Sequence, residues 1–102
     1  MIRGTTPTHT FVLPFNTSLV SSARISYAQR GNVLLKKETP ACTLEANTNT
    51  ISVTLSQEDT LLFNSGLYVD IQLRVLTTDG VALSTDIITK SVGECLDGGV
   101  IA

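Results

Sequence analysis

The sequence predicts an all-β fold, an immunoglobulin-like antiparallel β-sandwich of about seven strands with one short helical turn. Three observations predict it. Apolar and polar residues alternate with a period of two, most cleanly from Thr50 to Leu55 and from Leu67 to Leu76. Turn residues punctuate these runs about every ten residues, the spacing of small sandwiches. Between the two cleanest runs stands Ser56-Gln57-Glu58-Asp59, a helix N-cap with a carboxylate three positions on, where such domains cross from one sheet to the other.

Taken in order, residues 1–7 read as an irregular N-terminal arm and residues 8–102 as a single sandwich domain. From Thr8 to Phe15, His9, Phe11, Leu13 and Phe15 share one side. Pro14 has no N–H to donate, so this strand lies at an edge or ends there. Leu19 to Arg30 holds a second strand, with Ala23, Ile25 and Tyr27 inward, and Gly31 supplies the following turn. Val33 to Lys37 returns, with Val33 and Leu35 on one face, until Glu38-Thr39-Pro40 breaks it. Cys42 to Ala46 is a short strand, and Asn47-Thr48-Asn49 turns into Thr50 to Leu55, where Ile51, Val53 and Leu55 point inward.

The helical turn continues through Phe63 and stops at Asn64-Ser65-Gly66, with Gly66 suited to a left-handed C-cap. It is too short to persist without tertiary contacts from Leu61, Leu62 or Phe63. Leu67 to Leu76 carries an unbroken apolar face of Leu67, Val69, Ile71, Leu73 and Val75. Gly66-Leu67-Tyr68 has the makings of a tyrosine corner, but parity puts Tyr68 on the polar face. Thr78-Asp79-Gly80 is a hairpin turn, and Val81 to Val92 returns with Val81, Leu83 and Ile87 on the core side. Ile88 breaks the alternation and marks either a bulge or a second buried face.

Composition narrows the function classes. The chain has 102 residues, 42% hydrophobic and 16% charged, with a net charge of -2. That is one ordered domain with a neutral Thr/Ser/Asn surface. The basic residues are scattered apart from Lys36-Lys37, which argues against nucleic-acid capture. No apolar run is long enough for a membrane span, and MIRGTTPTHT lacks the apolar core of a signal peptide. The expectation is synthesis in a cytoplasm, with no membrane partner.

Reactive constellations are missing from the pattern. Cys42 and Cys95 match neither a zinc pair nor a redox motif and read as free thiols. His9 is the single histidine, and no Gly-x-Ser-x-Gly elbow surrounds any serine. Glu58-Asp59 reads as helix-terminus charge. No metal set or phosphate loop is visible, so the reading is non-enzymatic, without cofactor, metal or catalytic residue. Partner-contacting candidates are Val100 and Ile101, an apolar pair following Gly98-Gly99, and Tyr68, an aromatic ring on a polar face.

The run Val53-Thr54-Leu55-Ser56-Gln57-Glu58-Asp59-Thr60, then Gly66, Val69 to Val75, Asp79-Gly80 and Ser84 to Ile87, resembles small proteins encoded in prophage structural regions. It is also similar to the immunoglobulin-like N-terminal domain of phage baseplate upper proteins. The likeness spans about Thr8 to Ile101 and departs at Ser56, where threonine is usual. It implies a structural subunit of a phage or prophage particle, in the tail, baseplate or head. Such a subunit would reside in the virion and contact other virion proteins and its own copies. No fibre follows the domain here, so the implied role is attachment rather than receptor binding. Two other classes stand beside it: a ligand- or carbohydrate-binding sandwich module, and a small phage-encoded regulator of a host protein. A glycan array with a Tyr68→Ala control separates the first, and pull-down from host lysate the second.

Overall fold

The computed structural model describes Met1–Ala102 throughout. Its strands are β1 (Thr8–Val12), β2 (Val20–Gln29), β3 (Asn32–Glu38), β4 (Cys42–Glu45), β5 (Thr50–Thr54), β6 (Tyr68–Thr77), β7 (Ala82–Ser84) and β8 (Ile88–Ser91). A single helix, α1 (Gln57–Leu61), links β5 to β6, and short 3-10 turns cover Thr17–Leu19 and Thr39–Ala41. No helix is long and apolar enough to cross a membrane.

The strands form two antiparallel sheets. One has the order β1-β5-β4, the other β3-β2-β6-β7, with β8 continuing the β7 edge beside β6. The chain changes sheet after β1, after β3 and after β5. This is the Greek-key arrangement of an immunoglobulin-like sandwich, with β1-β5-β4 in the B-E-D positions and β3-β2-β6-β7/β8 in C′-C-F-G. The A position, beside β1, carries no strand. The nearest substitute is a single parallel bridge between Ile2 and Gly93.

Period-two patterning builds the core. Ile25, Tyr27, Ile51, Leu55 and Val69 are all 0% exposed, and each contributes about 1.5–3 kcal/mol through burial. The two ten-residue strands β2 and β6 pair centrally, from Val20↔Thr77 to Ala28↔Asp70. The β2–β3 hairpin closes on Arg30 and Gly31 at φ 51° and 79°, a two-residue turn whose twist matches the strands. Asn49 adopts φ 53° in the turn before β5.

α1 forms because its ends are satisfied. The Ser56 hydroxyl accepts from the Asp59 N–H, and the Asp59 carboxylate accepts from the Ser56 N–H. Thr60 and Phe63 are buried, and the Thr60 hydroxyl donates to the Thr5 carbonyl at 2.9 Å. The buried Gln29 side chain exchanges hydrogen bonds with both backbone groups of Asn64, at 2.8 and 3.0 Å. Residues ahead of β1 include no full strand yet are tied down. Gly93 donates to Met1 and Arg3 donates to Gly93, while Leu55 donates to Pro7.

Three local expectations are corrected. Val33 and Leu35 do not share a buried face, because a bulge at Leu34 shifts the register between Tyr27↔Leu35 and Ala28↔Val33. Val33 is therefore largely exposed and Leu35 half-buried. Gly66 does take φ 77°, but the helix has already ended at its C-cap Leu62. Gly66 instead aims the chain into β6, its N–H donating to Val92.

The largest correction concerns the last strand, which is broken. Val81, Leu83 and Ile87 are 48%, 42% and 60% exposed, not core. Leu83 stands opposite the buried Val75, so it does point to the inner face. The facing sheet has three strands and does not reach over it.

Candidate functional site: the open flank beside β1

The vacant A position leaves two features side by side, a bare strand edge and an uncovered apolar floor. On either side of β1, Leu55 donates to Pro7 and Leu13 donates to Asn49, so the flanking residues bond toward the β5 side. Antiparallel ladders alternate, so His9 and Phe11 bond the same way, and the N–H and C=O of Thr8, Thr10 and Val12 point away from β5. These three residues form an open hydrogen-bonding edge with exposed, uncharged, β-branched side chains.

Other edges are protected by recognised devices. β3 carries the Leu34 bulge and the charges Lys36, Lys37 and Glu38. β4 is four residues long and ends in Glu45. The β7–β8 edge is interrupted, where Thr85 replaces regular pairing: its N–H donates to Leu73, and its hydroxyl accepts from the Leu73 N–H. β1 has no bulge and no charge within its paired residues.

The floor of the flank consists of two clefts between β1 and β6–β8. One, of ≈ 190 Å³, lies among Leu13, Pro14, Phe15, Leu73, Val75 and Leu83. The other, of ≈ 210 Å³, lies among Thr8, His9, Phe11, Ile71, Ile88 and Lys90. Ile88 stands opposite the buried Ile71 and is still 40% exposed. The first cleft is apolar and the second ends in a cation.

His9 borders the second cleft, with Nδ1 2.7 Å from the buried Tyr27 hydroxyl. Burial, then the charges of Lys90 and the N-terminal ammonium, lower its pKa below the ordinary 6.5. Burial, with Cys42 and Asp59 nearby, pushes the Tyr27 phenol up. A neutral imidazole bonded to a neutral phenol positions β1 on the core. No nucleophile or carboxylate is bonded to the pair. No three His, Cys, Asp or Glu side chains converge anywhere in the molecule to hold a metal.

The predicted contact residues lie elsewhere. Glu94 pins the start of the C-terminal segment, accepting from Arg3 at 2.9 Å and Ser65 at 2.7 Å. The Ser65 and Arg3 hydrogen bonds lower the Glu94 pKa. Beyond it, Ile101 exchanges two backbone hydrogen bonds with the Gln57 side chain, at 2.8 and 3.1 Å. Its apolar side chains stay in water: Leu96 is fully exposed, Val100 50% and Ile101 76%. Tyr68 is 68% exposed on the outer face of β6, opposite Ser91, so it forms no tyrosine corner. No hydrogen bond joins Tyr68 to the tail.

The alternation placed Leu83 on the inner face but could not tell that nothing covers it, and at the break it chose Ile87 where Ile88 is the residue opposite the buried Ile71. The signal available for the flank was Pro14, which marked β1 as an edge. Cys42 and Cys95 are both free thiols, donating to the carbonyls of Glu38 and Asp97. No protein-family model, curated protein or solved structure matches this chain.

Proposed function

We propose that this protein is a non-enzymatic assembly subunit of a phage or prophage particle, a tail, baseplate or head accessory component. It joins other particle proteins, and its own copies, through its open flank. The observation that carries the assembly role is the coincidence of an unprotected β1 edge with an apolar floor on β7 and β8. Strand addition at such an edge supplies backbone hydrogen bonds, and the floor selects side chains. The particle itself is supported by the resemblance of Val53 to Ile88 to prophage structural proteins.

The test is mass spectrometry of purified particles from a lysogen that encodes the chain. The chain is expected in fixed stoichiometry with tail or head proteins, and its absence from intact particles overturns the reading. A variant blocked at the edge, Thr10→Pro, is expected to be made and folded but depleted from particles.

A further inference from the structure

We propose that the open flank takes one extended strand, and that this strand is the C-terminal segment of a second copy of the chain. The inference rests on the assembly role proposed above and adds the identity of the contact.

Width is the first argument. The clefts lie between β1 and β6–β8, and Leu83 and Ile88 stay 42% and 40% exposed beside the free edge of β1. Neighbouring strands lie about 4.8 Å apart, so this exposed floor leaves room for one added strand over Leu83 and Ile88. A whole sandwich docked edge to edge would drive its own β7–β8 edge into this one. The occupant is therefore a single strand without a second layer beneath it.

The chain supplies such a strand. Beyond Glu94 the segment is held by hydrogen bonds of Cys95, Gly99 and Ile101, and none of its apolar side chains is buried. In extended form, Leu96, Gly98, Val100 and Ala102 share one face, which is wholly apolar or small, and Asp97 falls on the other. Leu96 and Val100 are four residues apart, as are Val75 and Ile71, which help floor the two clefts. A tail running antiparallel to β1 sets Leu96 against Leu13 and Leu83, and Val100 against His9 and Ile88. Its backbone then pairs with Thr8, Thr10 and Val12.

The contact is heterologous, since a tail enters a flank and not another tail. Each copy keeps a free flank at one end and a free tail at the other, so association gives rings or chains. Sedimentation analysis of the full chain is expected to show oligomers that grow with concentration. Leu96→Asp with Val100→Asp kills the tail, and Thr10→Pro kills the edge, where the lost N–H faces away from β5. Each is expected to weaken self-association about tenfold or more. Mixed together, the two variants are expected to form a heterodimer that stops at one-to-one, because only one tail and one flank remain. If Thr10→Pro fails to fold, Leu83→Glu at the exposed floor replaces it.

A wild-type chain that stays monomeric at millimolar concentration overturns the inference, as does a variant mixture that does not pair. So does a monomer whose stability falls when the tail is altered, which means the tail fills its own flank. A monomeric chain that is nevertheless present in purified particles removes this inference and leaves the proposed function standing. An assembling chain absent from particles does the reverse.

Discussion

The two flanks of the sandwich are built differently. On the β3–β4 side the chain itself passes from one sheet to the other through Thr39–Ala41. Side chains stitch that crossing. The Thr39 hydroxyl accepts from the Ala23 N–H at 2.8 Å, and the Cys42 thiol donates to the Glu38 carbonyl. Nearby, Lys37 lies 2.9 Å from Asp59 of α1, joining the β3 edge to the helix. On the β1–β7/β8 side the chain crosses only at one end, where Met1 and Arg3 bond Gly93 and Pro7 bonds Leu55, and beyond it a bare edge stands beside exposed Leu83 and Ile88. An edge is closed where the chain must pass and left open where it need not.

Substitutions of equal size on the two sides sharpen this contrast. Ile51→Ala, in the core beneath β5, is expected to cost about 2–5 kcal/mol in urea unfolding. Leu83→Ala on the open flank is expected to stay within about 1 kcal/mol. Equal losses would mean that the flank is not open. Thr39→Val removes the stitch on the closed side while keeping its shape, leaving the Ala23 N–H unpaired, at about 1–3 kcal/mol. Thr10→Val, the same change on the open edge, should fall within about 0.5 kcal/mol. Ser56→Ala breaks the capping box of α1 and is expected to lower stability by about 1 kcal/mol, read from the same denaturation curves.

Acid probes both sides through different groups. The His9 pKa is lowered in the fold, so the unfolded chain binds a proton first as pH drops below 6.5. Its contribution is full above that value and is lost as pH falls through the folded pKa. Melting temperature should therefore begin to fall below about pH 6.5, and His9→Gln should flatten that limb. Burial raises the Asp59 pKa, but hydrogen bonds from Lys37 and Ser56 and the Lys37 charge outweigh it, so the net shift is downward from 3.8. Stability from Asp59 is full above 3.8 and is lost as pH drops through its lowered value. A second acid limb that persists in Lys37→Met would show that this pair does not hold the closed side.

Much of the fold was legible because period-two patterning is a local signal. Ile51, Val53 and Leu55, and Val69 to Val75, went inward as their parity demanded. The capping box was readable from Ser56 and Asp59 alone. Burial at the sheet margins was not, because it depends on how many strands the opposite sheet has. Leu83 has the right parity and no cover. The Leu34 bulge escaped because one extra residue leaves hydrophobic content unchanged while shifting every later pairing. Of the flank, Pro14 flagged the edge, while the singled-out Val100 and Ile101 are exposed in the tail, away from it. The flank itself arises from residues far apart in sequence, and no short motif encodes it.

The jog at Thr85 has a consequence for growth. The Thr85 N–H bonds Leu73 as in a regular ladder, but its carbonyl takes the Gln72 side-chain amide and its hydroxyl takes the Leu73 N–H, so the ladder stops there. Edge-to-edge fibrils need two continuous templating sides, and this one is split between two short strands. A polymer built through the proposed tail-to-flank contact is polar, with a defined head and a defined end.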